Sequence, residues 1–108
     1  MGRLLSREVE VEITPSRRFW SLWSILKNQV KREKPEMYIR ILRTEHRIKD
    51  RLRSGDKPDL ADIVADLIEI GLPEDVITDF LERLEIPDEV IAGTINEARR
   101  KLIQGLRW

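Results

Sequence analysis

The chain has 108 residues, of which 41% are hydrophobic and 37% are charged, and its formal net charge is zero. This length supports one domain with a sizeable core, and the sequence contains no run of eighteen apolar residues that would cross a membrane. Cysteine is absent, which excludes disulfides, thiol catalysis and cysteine metal sites. The N-terminus lacks the apolar segment of a signal peptide, so we expect a cytoplasmic protein.

The charge is divided along the chain. Residues 1–58 contain fifteen Lys/Arg and eight Asp/Glu, a net +7, whereas residues 59–108 contain five and twelve, a net −7. A division of this kind implies that the two parts fold against each other, or that one part meets an oppositely charged partner.

The N-terminal segment alternates between charged and apolar residues. Residues 7–13 read R-E-V-E-V-E-I, which places Val9, Val11 and Ile13 on one face and predicts a half-buried strand. No second strand is predicted, so its backbone groups have no partner within the chain. Pairing with the same strand of another copy makes Val9, Val11 and Ile13 candidate oligomerisation residues. The alternative is an extended arm packed on the helices.

A helix is predicted over residues 16–33, with Ser16 or Thr14 as its N-cap. Its apolar residues recur at helical spacing and form one face: Phe19, Leu22, Trp23, Leu26 and Val30. Trp20 and Ile25 fall on either side of this face, so we expect the helix to contact more than one neighbour. Trp20 is typical of a core or interface residue, and we include it among the candidate oligomerisation residues.

A second helix begins at Pro35 and is predicted over residues 36–53. Its apolar side consists of Met37, Tyr38, Ile41, Leu42, Ile48 and Leu52. An arginine stripe, about 16 Å long, lies on roughly the opposite side and consists of Arg40, Arg43, Arg47 and Arg51. Guanidinium groups bind phosphates and carboxylates well, so the stripe is the candidate site for a phosphate or an acidic partner.

Three short helices with related sequences follow a turn at residues 54–58. They are predicted over residues 59–70, 73–85 and 87–105. Asp59 is the expected N-cap of the first, and Gly71 is its expected C-terminal residue. Each helix is amphipathic, and solvated acidic faces are expected from Asp62, Asp66 and Glu69 and from Asp75, Asp79 and Glu82. The spacing of 13 or 14 residues favours convergence over a repeat array.

Catalysis and metal binding have little support in the sequence. His46 is the single histidine, and its neighbours Glu45 and Asp50 do not complete a set of ligands. There is no glycine-rich phosphate loop and no credible Ser-His-Asp arrangement. We therefore predict that the protein is not an enzyme and has no metal or cofactor.

Two known DNA-binding arrangements have partial counterparts in the sequence. The third and fourth helices are joined as in a helix-turn-helix motif, but the second of the pair is acidic and would repel phosphates. Residues 7–53 resemble the ribbon-helix-helix repressors in having a strand, a proline and two helices, which implies dimerisation through the strand. The polar face of this strand consists of glutamates, so the resemblance does not extend to reading DNA.

Together these patterns predict a mainly α fold, a compact bundle of about five helices with an N-terminal strand or extended arm. The single domain comprises an arm over residues 1–15, a basic helical hairpin over 16–54, and an acidic three-helix unit with a basic tail over 59–108. Asn and Gln together number only four, which is typical of thermophile proteins. Trp108, the last residue, is expected to pack on the core or dock into a partner.

The function that we predict is protein–protein interaction or assembly. The chain would form a homo-oligomer and bind another protein through apolar helix faces and opposed charge patches. The alternative is a nucleic-acid-binding protein whose arginine stripe contacts the phosphates of DNA or RNA. No membrane partner is expected.

Overall fold

The computed structural model describes residues 16–106 and confirms the mainly α class. Within that range the chain forms five helices joined by short turns: α1 Arg17–Glu33, α2 Pro35–Arg53, α3 Leu60–Ile70, α4 Glu74–Arg83 and α5 Asp88–Gln104. Every bound lies within two residues of its predicted position. None of these described helices has both the length and the apolar composition that crossing a bilayer requires.

The helix bounds follow from capping chemistry. Of the two predicted N-caps of α1, Ser16 is the one observed, since its Oγ accepts a hydrogen bond from the Phe19 amide at 3.0 Å. The Asp59 carboxylate accepts one from the Ala61 amide at 3.1 Å and caps α3 in the same way. Gly71 ends α3 at a φ of 108°, a left-handed conformation that glycine adopts without strain.

Helix α3 lies at the centre of the fold. Seven of its eleven residues are buried, and α2, α4 and α5 pack around it, as a helix that is apolar on nearly all sides requires. The prediction of a solvated acidic face is therefore wrong for two of the three acids of α3, since Asp66 is only 4% exposed and Asp62 is largely covered. Glu69, the third, is exposed as predicted. The prediction holds for α4, whose Asp75, Asp79 and Glu82 are exposed.

An aromatic cluster joins the hairpin, formed by α1 and α2, to the three-helix unit, formed by α3, α4 and α5. Phe19 and Trp23 of α1 and Phe80 of α4 are all buried. Their ring centroids lie 5.8, 5.9 and 6.1 Å apart, in stacked and edge-to-face arrangements. Such aromatic pairs add about 0.5–1.5 kcal/mol beyond their burial. Hairpin and unit thus share one continuous core.

Candidate interaction surface

The sequence predicted that the arginine stripe lies on roughly the opposite side of α2 from the apolar residues. In the structure the stripe lies beside α3 instead. Arg40, Arg43 and Arg47 line a groove of about 280 Å³ between α2 and α3, together with Asp66 and Glu69. The reason is geometric. At roughly 100° per residue, a stripe with spacings of three and four occupies one flank of a helix, and this flank borders the neighbouring helix.

Asp66 is a buried carboxylate that fixes the position of Arg47. Its two oxygens accept hydrogen bonds from Arg47 Nη1 at 2.9 and 3.1 Å, and Oδ2 also accepts one from the Thr44 hydroxyl at 3.0 Å. Thr44 and Asp66 are 2% and 4% exposed, whereas half of the Arg47 side chain is exposed. A carboxylate is tolerated at such depth only with partners of this kind. Arg47 is therefore a structural member of the stripe.

The other arginines of the stripe differ in their surroundings. Arg51 forms an ion pair of 3.5 Å with Asp56 in the turn that follows α2. Arg40 and Arg43 are exposed, and neither forms an ion pair with any residue between 16 and 106. Arg47 and Arg51 of the stripe are thus paired. Arg40 and Arg43, which lie toward the N-terminus of α2, remain available to bind another molecule.

A carboxylate–lysine cluster closes the seam between α1 and α2. The Glu45 carboxylate accepts a hydrogen bond from the Trp23 indole at 2.9 Å and pairs with Lys27 at 2.8 Å and Lys49 at 3.1 Å. The Lys49 ammonium also lies 5.7 Å from the centre of the Trp20 ring. Burial by itself would raise the pKa of Glu45, but these donors lower it to about 2.

The candidate oligomerisation residues fall into two groups. Trp20 is half-buried, its ring meets that of Phe19 edge-on at 5.1 Å, and Lys49 covers it, so part of its surface is used within the hairpin. The remaining candidates lie outside the described residues: Val9, Val11, Ile13 and Trp108. The predicted strand over residues 7–13 lies outside them as well. A role for any of these residues in oligomerisation stays a prediction.

Within the three-helix unit, Lys101 of α5 joins the start of α3. Its Nζ lies 3.2 Å from Asp62 Oδ1 and 3.6 Å from Asp59 Oδ2. Burial disfavours the charge on Lys101, yet these carboxylates raise the pKa of its ammonium overall. Arg99 likewise pairs with Glu74 of α4. Both cations thus form ion pairs with acids of the same unit.

Charge remains divided between hairpin and unit after folding. Residues 17–53 contain twelve Lys/Arg and four Asp/Glu, a net +8, and residues 60–104 contain four and eleven, a net −7. The ion pairs that join them include Arg47 to Asp66 at 2.9 Å and Arg18 to Glu85 at 3.0 Å. Exposed groups outside any ion pair of the described residues include the cations Arg17, Arg32, Lys34, Arg40 and Arg43 and the acids Asp75, Glu82, Asp88 and Glu89.

The two polar clusters, one around Asp66 and one around Glu45, were not predicted from the sequence. Thr44 carried a usable signal, because it occurs at helical spacing between Ile41 and Ile48 on the apolar side of α2 and so takes a core position. A polar residue at such a position needs a buried partner, which is Asp66. Glu45 carried no comparable signal, because its partners come from two helices and follow no fixed spacing.

Metal-binding groups do not converge in the described part of the chain. His46 is exposed. Between residues 16 and 106, no three His, Asp or Glu side chains are grouped so that they would hold a metal ion.

In comparisons with protein-family models, with curated proteins and with solved structures, the chain matches none of them. Its function must therefore be inferred from its own surfaces.

Proposed function

We propose that the protein is a non-enzymatic assembly protein that binds copies of itself through opposed charge patches and apolar helix faces. The supporting observation is the division of charge after folding, +8 on the hairpin and −7 on the three-helix unit. Ion pairs such as Arg47 to Asp66 and Arg18 to Glu85 join these parts, while exposed cations on one and exposed acids on the other form no ion pair among the described residues. Complementary patches of this kind orient association between molecules.

The composition of the α2–α3 groove favours a protein partner over a nucleic acid. The exposed Glu69 lines the groove together with three arginines of the stripe. Further along the stripe, Asp50 and Asp56 lie beside Arg51. A phosphate backbone would meet these carboxylates at close range and be repelled, whereas a protein surface that carries both signs of charge would not.

Size-exclusion chromatography with light scattering, at several protein concentrations in low-salt buffer, tests the proposal. We expect a mass above that of the 12.8 kDa chain, rising with concentration. Reversal of two available cations, Arg40→Glu with Arg43→Glu, is expected to reduce the mass. Reversal of Arg53, which pairs with Asp50 on its own helix, is the control and should have a small effect. A monomer at every concentration would contradict the proposal.

Nucleic-acid binding is the second candidate, because Arg40 and Arg43 are exposed and available. Titration of DNA and of RNA oligonucleotides at increasing salt separates it from assembly. Contacts with phosphates predict affinity that falls steeply with salt and is lost in the Arg40→Glu, Arg43→Glu variant. Absence of binding in low salt would eliminate this candidate and leave assembly standing.

A further inference from the structure

We propose that an apolar groove between α3 and α5 of one copy receives the exposed tip of the hairpin of a second copy, with Ile39 as the inserted side chain. The inference rests on the proposed function and specifies the two surfaces that meet. It assigns a recipient surface to the three-helix unit and an inserted surface to the N-terminal half of α2.

The recipient is the α3–α5 groove, with a volume of about 530 Å³. Its lining combines an apolar set, Pro58, Leu60, Ala61, Val90 and Gly93, with a polar set, Lys57, Asp59, Thr94 and Glu97. The wall formed by Gly93 is open, because a Cβ at this position would meet no atom within 4 Å. A helix surface without a side chain allows close approach of a bulky residue from outside. The groove therefore has both the apolar lining and the space for a branched side chain.

The inserted residue is exposed and has available cations beside it. Ile39 is 65% exposed at the tip of the hairpin. Arg40 follows it directly, and Arg43 lies one helical turn further on. Neither arginine forms an ion pair with residues 16–106. In protein interfaces an apolar anchor residue is typically buried at the centre of the contact, and charged residues surround it as a polar rim.

Two other exposed isoleucines lack such neighbours. Ile103, which is 86% exposed, follows Arg99 and Arg100 on α5. Those two arginines already pair with Glu74 and Glu97 of the same chain. Ile25, which is 53% exposed, borders a groove whose charged residues, Asp79 and Arg83, pair with each other.

Spacing and charge on the two helices correspond. Ile39 and Arg43 are four residues apart on α2, and Glu89 and Gly93 are four residues apart on α5. Residues four apart share a helix face, so antiparallel contact with Ile39 over Gly93 brings Arg43 to Glu89. Asp88 then lies within reach of Arg40. Both acids are exposed and form no ion pair in the described part of the chain.

Ile39 is not among the residues that line the α3–α5 groove of its own chain. The tip of the hairpin lies at the C-terminal end of α3, where a Cβ on Gly71 would be 3.3 Å from Met37 Cε of α2. The groove begins at the opposite end, at Leu60. The eleven residues of α3 separate these ends by about 16 Å. Contact therefore joins different patches of two copies, which produces a ring or an open chain of copies.

Substitution of the anchor tests the apolar part of the interface. We expect Ile39→Ser to raise the apparent dissociation constant of self-association about tenfold or more, as loss of a central apolar anchor does. Ile25→Ser, a matched change at another exposed isoleucine, should leave it unchanged. Gly93→Leu should block the groove and weaken association similarly, whereas Gly93→Ala should not. Equal effects of the two isoleucine substitutions would overturn the proposal.

Charge exchange tests the pairing of the two surfaces. One variant carries Arg40→Glu with Arg43→Glu, and the other carries Asp88→Arg with Glu89→Arg. Each variant alone is expected to be monomeric, because like charges then face each other. An equimolar mixture should associate again, since every contact in an alternating chain is restored. A mixture that stays monomeric would overturn the pairing, provided that both variants retain the helical circular dichroism of the wild type.

The outcomes distinguish this inference from the proposed function. A wild-type chain that is monomeric at every concentration would contradict both the groove contact and the proposed function. A wild-type chain that assembles, but is insensitive to Ile39→Ser and is not restored by the mixture, removes the groove contact alone and leaves assembly through other surfaces.

Discussion

The hairpin and the three-helix unit are both helical and share a core, but they use their charges differently. In the unit, Lys101 and Arg99 each meet acids of the same unit. In the hairpin, cations such as Arg40 and Arg43 remain exposed and available. The cations of the unit are thus paired, and the charges left over among its described residues are acids on α4 and at the start of α5. The hairpin, in contrast, carries exposed cations that form no ion pair with the described residues.

A second difference concerns how each region is held. The hairpin seam contains a polar cluster around Glu45, whereas α3 is packed mainly by apolar residues and carries one buried carboxylate, Asp66. This difference predicts that the hairpin responds more strongly to pH and the unit more strongly to loss of apolar volume.

Loss of the aromatic contact between the two regions should have the largest effect on stability. We expect Phe80→Ala to lower the free energy of unfolding by about 3–5 kcal/mol, because it removes a buried ring and leaves a cavity beside Phe19 and Trp23. Urea unfolding followed by tryptophan fluorescence and by circular dichroism measures this. Phe80→Leu is the control, with a smaller loss. Separate wild-type transitions for the two probes would contradict a shared core.

The Glu45 cluster should make hairpin stability depend on acid. The pKa of Glu45 is lowered from 4.5 to about 2, so its contribution is complete above about pH 4.5 and is lost as the pH falls through about 2. A shift of this size corresponds to about 3 kcal/mol. At pH 7, Glu45→Gln should be less stable by about that amount, and the two proteins should converge near pH 2. A constant difference from pH 7 to pH 2, measured by urea unfolding, would contradict this account.

The buried carboxylate that joins α3 to α2 should contribute less. We expect Asp66→Asn to cost about 2 kcal/mol, because charged hydrogen bonds to Arg47 and Thr44 are lost at a buried site. Asp56→Asn, which affects the exposed pair with Arg51, is the matched control and should cost about 0–1 kcal/mol. Thermal unfolding of both variants measures the difference. Equal costs would show that Asp66 is not a special link between hairpin and unit.

The smallest effect is expected in the unit, and it is a gain. Gly93 lies inside α5 with open space around it, so Gly93→Ala should stabilise the protein by about 1 kcal/mol through helix propensity. The corresponding rise in melting temperature is about 4 °C or more. A decrease would mean that Gly93 is needed in the folded chain for a reason other than the proposed groove contact.

The sequence predicted the helices well and the surface incompletely, for physical reasons. Helix bounds depend on local features such as Ser16, Asp59 and Gly71, whose chemistry acts within a few residues. The surroundings of the arginine stripe depend on which helix packs beside α2. Hydrophobic spacing does not determine that neighbour, because it identifies a buried face and not the element that covers it. Asp66 was expected in solvent for this reason.

In the proposed assembly, exposed cations of the hairpin meet exposed acids of the three-helix unit of another copy. Sedimentation equilibrium of the wild-type protein at increasing ionic strength tests it most directly, because screening weakens contacts between exposed charges. We expect an apparent mass above the 12.8 kDa of the chain at low salt that falls toward that value as salt is added. An apparent mass that does not change with ionic strength, whether monomeric or not, would contradict it.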